Sequence, residues 1–372
     1  MSRISLTRII GLAGIALMVV GTGCEQNPGA PSIRNDPVVR NLQDIAFVSA
    51  HKAYVTNLEG NALLVIDPAD GHRISTVDFS IFNTFAGTDS AEASPYMAGV
   101  VVSGDRVYVA CQRLRTVQTQ WGPSLEPGDV SKVVVVDAAS DAIADVIDLA
   151  RKNPVSMEVA AGILYVSCAG SWSDQADGGI ERIALATNQN LGVCAEEADF
   201  GGTISNIVIV DSAKAYCAVG TFTDEFRTGL VEFNPSGGTV GAAVAGIDDA
   251  FGGAAFDGTR LFVGDRSPAT PGIVVIDPTD NRTVSGPHDV GYPPSALVVN
   301  QTSVVAVTAA PDYSAGNMGM LQIAGFAVSK DLLSIHSDAV IRAYGGDVYV
   351  IERGVDRIIR PRIPAAPGYC ST

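Results

Sequence analysis

No local motif in this sequence carries recognisable catalytic machinery. There is no CxxC or HxxxH spacing, so a zinc site built on one short segment is excluded. His51, His72, His288 and His336 are read as falling in separate repeats, too scattered to converge. GxSxG is missing, and so is the nucleophile elbow it would form. Glycine-rich phosphate loops need a helix to open onto, and helical periodicity of any length is absent. A CxxCH haem attachment is missing too. These gaps lead to an expectation of no catalytic residues, no metal ligands and no cofactor. The acids of two loops, Asp174–Asp177 and Asp89–Glu92, could hold calcium through oxygen ligands, but neither loop has EF-hand spacing.

Long apolar runs are also scarce. The longest, Ile9 to Val20, is too short to span a bilayer core, which needs about 20 residues. It follows Arg3 and Arg8 and precedes Gly21-Thr22-Gly23-Cys24. A positive segment, a short apolar run and small residues before a cysteine resemble a bacterial lipoprotein signal. Residues 1–23 are therefore read as a signal peptide and Cys24 as the lipid anchor, the only membrane contact expected. Glu25 follows the cysteine, which favours the outer membrane of a bacterial envelope. Residues 24–36 read as a flexible tether, 37–363 as one folded domain and 364–372 as a tail. Five further cysteines leave at least one thiol unpaired. Cys111 and Cys168 sit at equivalent repeat positions and are explained as small buried hydrophobes. Cys194 and Cys370 lie outside the inner strands, where an oxidising compartment permits a disulfide.

The net charge is −16, which repels phosphate backbones and argues against nucleic acid and anionic lipid. Charge of this sign keeps an exposed, monomeric body soluble.

One pattern recurs along the chain: a short apolar strand, a tight turn and a strand centred on an aromatic or valine, then a loop and a further apolar strand often closed by Asp or Asn. The anchors are Tyr54, Tyr108, Tyr165, Tyr216, Phe262, Val305 and Tyr349, separated by 54, 57, 51, 46, 43 and 44 residues. Seven units of this length, rich in β-branched residues and bounded by Gly, Pro, Asn and Asp, predict an all-β, seven-bladed propeller of four-stranded antiparallel blades. The seventh unit runs out of chain, so an N-terminal strand around Pro37–Arg40 is expected to complete it and close the ring.

Tyr54-Val55-Thr56-Asn57, followed by Leu63-Leu64-Val65-Ile66-Asp67-Pro68 and Gly71, resembles the YVTN repeat of bacterial surface-layer-type propellers. The resemblance implies the propeller fold and an exported location, and implies little chemistry.

The connections differ between the two faces of such a ring. First-to-second and third-to-fourth turns are tight, as in Ser103-Gly104-Asp105 and Pro278-Thr279-Asp280-Asn281. Second-to-third loops and blade crossovers are long and individual. Trp121, Trp172, Asp174, Asp224, Asp265, Arg266, Glu352 and Arg353 all fall there and form the expected ligand-binding set. The function expected is a lipid-anchored recognition scaffold for a protein, a glycan or an envelope polymer. One alternative is a metal-dependent hydrolase or lactonase, with a channel-mouth site drawn from Asp44, Glu59, Asn206, Asp265, Asp338 and Glu352. Another is a structural subunit of an envelope complex.

Overall fold

The computed structural model describes residues 38–84, 94–119, 122–128, 130–172, 174–222 and 224–363. The signal peptide, the tether, Cys24, Trp121 and Cys370 lie outside the described residues.

Seven small antiparallel sheets follow one another along the chain, the blades of a β-propeller. Blade one runs Leu42–Ser49, Lys52–Asn57, Ala62–Ile66, Arg73–Asp78 from the centre outward. Blades two to five repeat that plan, and all seven anchors sit buried in second strands. In blade six the outer position is split between Val328–Ser329 and Ser334–Ile335, both paired with the third strand.

Alternation along each second strand explains how the ring holds together. Successive side chains of a strand point to opposite faces, and each face of a blade meets a different neighbour. Tyr54 packs toward blade two with Val107, Val109 and Val134, whereas Val55 packs toward blade seven with Tyr349, Ile351 and Ile358. Seven apolar clusters result, one between each pair of adjacent blades around the ring.

Closure differs from the expectation in one respect. Pro37 lies outside the described residues, Val38–Arg40 form no strand, and the seventh sheet has three strands among the described residues. Val38 and Val39 instead pack on the cluster between blades seven and one. Asn57 holds this arm from both ends of its amide: Nδ2 donates to the Val38 carbonyl (2.7 Å) and Oδ1 accepts from the Arg40 amide (2.6 Å). Asp356 accepts from the Leu42 amide (3.0 Å) and Arg342 pairs with Asp44 (2.8 Å), so blade seven grips the first strand of blade one directly.

The recurrent Asp or Asn after the third strand has a local job. Oδ1 of Asp67, Asp137, Asn234 and Asp277 accepts the amide two residues on, at 2.8–3.1 Å across these turns, which shapes each into a tight Asx turn. Four residues after it comes a left-handed position, filled by Asp141, Asn281, Gly71 and Gly238; Asn188 holds the corresponding place in blade three. Where that residue is Asn or Asp, the tyrosine hydroxyl of the preceding blade bonds to it: Tyr54 to Asp141, Tyr108 to Asn188 (3.0 Å) and Tyr216 to Asn281 (2.5 Å). Blade four has Gly238, because a Cβ there would lie 2.1 Å from the Cys194 carbonyl. Tyr165 of the preceding blade consequently lacks this partner.

Tyr216→Phe should therefore destabilise the propeller by about 1 kcal/mol, the net worth of a buried hydrogen bond. Tyr165→Phe should leave stability nearly unchanged. Urea denaturation of the two variants beside the parent checks the difference; equal losses would mean that the hydroxyl stitch contributes nothing.

Candidate recognition face

Second-to-third loops and crossovers share one end of the ring, and most of the expected site residues are placed there. They do not act alike. The position three residues beyond each anchor reads Asn57, Cys111, Cys168, Val219, Asp265, Thr308 and Glu352, every one buried. This is where the crossover enters the blade, and its polar members tie down crossover amides. Asp265 accepts from Asp249 N (2.8 Å), Asp248 N (3.3 Å) and Ser267 N (3.0 Å). Glu352 accepts from His336 N (2.7 Å) and pairs with Arg357. A buried carboxylate needs such donors, so Asp265 and Glu352 act as crossover clamps, and Asp265 also lines an open cavity. Arg353, a third exposed, pairs with Asp338 and bonds the Gln43 side chain (3.2 Å).

Where the clamp position is Cys168 or Val219, a carboxylate elsewhere does the same work. Glu181 accepts from Ala150 N (3.0 Å) and Arg151 N (2.6 Å). Glu197, on the short helix Glu197–Phe200, accepts from Gly178 N (3.0 Å) and Ile204 N (3.2 Å). The cysteines equivalent to these clamps, Cys111 and Cys168, are free and fully buried, and burial pushes both thiols up. Cys194 is free as well.

The residues left over from this clamping are aromatic. Trp172 is 56% exposed and Phe222 65%. Phe222 pairs with Phe226 at the tip of a hairpin formed by the lengthened strands Ala215–Phe222 and Phe226–Phe233. Gly220 leaves room for the Phe226 ring, since a Cβ there would lie 2.7 Å from its Cζ. Arg266 lies over Phe251 (4.7 Å) and Tyr313 (5.4 Å) and donates to the Tyr313 hydroxyl (2.9 Å), a cation–π sandwich that bridges a crossover and a loop. Tyr292 is exposed on the next crossover. Trp172, Phe222, Phe226, Phe251, Tyr292 and Tyr313 thus form an arc over blades three to six. The sequence reading missed Phe251, Tyr292 and Tyr313, whose exposure has no local signature.

Asp174 and Asp224 are exposed beside this arc. Asp177 is spent on Ser171, through its amide (2.8 Å) and hydroxyl (2.9 Å). An open cavity of about 330 Å³ lies between the blade-four crossover and blade five, lined by Asp248, Asp265, Ser267, Thr270, Val274 and Pro287. The long connection of blade two forms its own hairpin, Leu114–Thr119 paired with Gly122–Pro127; Trp121 lies outside the described residues. Of the channel-mouth set, Asp44 is paired with Arg342, Glu59 accepts from Asn41 (3.2 Å) and Asn206 is exposed on the first strand of blade four. Among the described residues, no three of the acids in this set bring ligand atoms within 4.8 Å of one another.

Burial raises the Glu197 carboxyl to about 7, against the lowering pull of its two amide bonds. A carboxyl whose folded pKa lies above its unfolded value favours folding at low pH, and that contribution is lost as pH rises from about 4.5 through about 7. Thermal melts across this window should show stability falling with pH, and Glu197→Gln, which mimics the protonated form, should make that dependence shallower, leaving the share of Glu158, whose carboxyl burial also raises to about 7. An unchanged slope in the variant would assign it to other groups.

No family model matches the chain, and no curated protein does. Among solved structures, a chain of the mitotic checkpoint complex is 12% identical, with a TM-score of 0.59 over 94% of this chain and 100% of that one. The WD40 β-propeller domain of Doa1 is 11% identical, with a TM-score of 0.56 over 90% of this chain and 95% of that one. The computationally designed Ika8 protein is 10% identical, with a TM-score of 0.52 over 87% of this chain and 96% of that one. At such identities the likeness is one of fold: the chain is a seven-bladed β-propeller.

Proposed function

We propose that this propeller is a recognition scaffold that binds its partner on the long-loop face, and that a lipid on Cys24 holds it at a bacterial cell envelope. One observation carries the binding reading. Every exposed aromatic among the described residues lies on that face, and among those residues the short-turn face exposes no large apolar side chain. Half-exposed rings on a rigid ring give contact area without a large ordering cost. The acids around them, Asp174, Asp224, Glu225 and Asp312, repel anions and suit hydroxyl-rich or cationic surfaces, so the partner class is a glycan, an envelope polymer or a basic protein segment. The outer strands expose single aliphatic residues, Ile74, Val146, Leu191 and Val284, one to a blade. Scattered apolar residues of this kind are ordinary surface, which favours recognition through the face over a structural role through the rim. The lipid anchor rests on the signal-like segment before Cys24.

Trp172→Ala should weaken binding to the captured partner by about 2 kcal/mol, as expected of an aromatic anchor. It should change unfolding free energy by no more than about 0.5 kcal/mol, since the ring is exposed. Cross-links from the bound partner to the short-turn face, around Gly104 and Gly258, would reverse the assignment.

Cys24→Ser should move the protein from the membrane fraction to the soluble fraction. Fractionation with immunodetection reads this directly, and membrane retention of the variant would remove the lipid from the proposal.

A further inference from the structure

The opposite face carries a feature that recognition does not use. Two turns of blade one meet there: the turn after Leu42–Ser49, which holds His51, and the turn after Ala62–Ile66, which holds Asp67, Asp70 and His72. Both histidines were expected in separate repeats, yet both belong to blade one, His51 beside Asp67 and His72 beside Asp70. His51 Nδ1 lies 3.1 Å from Asp67 Oδ2, and His72 Nδ1 lies 2.6 Å from Asp70 Oδ1. Metal-ligating atoms of Asp67, Asp70 and His72 all fall within 4.8 Å of one another, and His51 joins this set through Asp67 alone.

The backbone holds these carboxylates in place. Asp67 Oδ1 accepts the Ala69 amide (2.8 Å) and Asp70 Oδ1 accepts the His72 amide (3.0 Å). Asp67 Oδ2 remains turned toward imidazole. Asp70, His72 and His51 are open to solvent, so a hydrated ion can reach them.

Blade five supplies an internal comparison. Its corresponding turn reads Asp277-Pro278-Thr279-Asp280-Asn281-Arg282 against Asp67-Pro68-Ala69-Asp70-Gly71-His72. The two carboxylates recur, and Arg282 stands where blade one has His72. Arg282 lies 3.7 Å from Asp277 and 3.4 Å from Asp280, so a fixed cation neutralises that pair. Guanidinium has no lone pair to give a metal, whereas neutral imidazole has one. Blade one thus keeps the carboxylates and replaces their fixed counter-ion with one nitrogen ligand, His72, while His51 brings a second imidazole to Asp67 from the neighbouring turn.

We propose that His51, Asp67, Asp70 and His72 form a binding site for a zinc-class transition metal on the short-turn face. Two imidazoles with two carboxylates are a borderline N/O donor set, which suits Zn²⁺ and disfavours Ca²⁺ and Mg²⁺, whose sites are built from oxygen. On binding, the imidazole nitrogens facing the carboxylates give their lone pairs to the metal, and any proton held there leaves to solvent.

The test is calorimetric titration of the full chain with Zn²⁺ at neutral pH after its thiols have been alkylated. One saturable equivalent is expected. His72→Arg, which installs the blade-five turn, should abolish it while leaving the metal-free melting temperature unchanged. His51→Ala should weaken binding by more than the roughly 10-fold that even an outer-shell partner commands. His336→Ala, on the far face, should bind as the parent does. Co²⁺ in place of Zn²⁺ should give visible bands free of thiolate charge transfer. A parent chain with no saturable site, or a His72→Arg or His51→Ala variant that binds as tightly as the parent, overturns the proposal.

Discussion

Every blade of this protein depends on burying both faces of its sheet against its neighbours. A single four-stranded sheet with apolar side chains on both faces cannot stand in water, and antiparallel sheets commonly leave one side wet. Here the second and third strands carry apolar residues without interruption, as in Val133-Val134-Val135-Val136, and alternate residues feed two different clusters. Such a sheet is stable only between two others. A ring is the arrangement that gives every blade two neighbours, and the contact of blade seven with blade one is therefore as necessary as the six made along the chain. Leu42, Ile45 and Val55 meet Tyr349, Ile351 and Ile358 to make it.

Polar groups follow the same logic at the two ends of the strands. On the short-turn end, left-handed Asn and Asp residues receive tyrosine hydroxyls from the blade before. On the long-loop end, Asn57, Asp265, Glu352, Glu181 and Glu197 receive the amides of incoming crossovers. The quartet Tyr54-Val55-Thr56-Asn57 combines these roles in one strand. Tyr54 reaches the blade-two turn, Val55 packs toward blade seven, Thr56 bonds the Ala98 carbonyl (3.3 Å) of blade two and Asn57 fastens the N-terminal arm. Alternation explains the pairing, because Tyr54 and Thr56 face one neighbour and Val55 and Asn57 the other.

This division of labour decides which polar residues are free to act. Buried acids at strand ends are consumed by the backbone, since an amide buried without an acceptor costs about 1–3 kcal/mol. What remains for recognition is the material that the ring does not require: exposed rings and acids on loops that differ from blade to blade. The turns of the opposite face are uniform in backbone, yet they can differ in side chain at little cost to the fold, as His72 and Arg282 do.

The sequence by itself determined the number of blades, the buried anchors and the tight and loose faces. Those are local properties: strand period, turn residues and loop length are written in contiguous residues. Tertiary structure decided which residues the scaffold consumes. Asp265 and Glu352 read as exposed loop charges because a sequence does not show the crossover that closes over them. Phe251 and Tyr313 come together over Arg266 from separate connections, and His51 meets Asp67 because two hairpin turns of one blade lie side by side. Each of these depends on packing between segments distant in the chain, where burial and partnership are set by the ring and not by the residues next along.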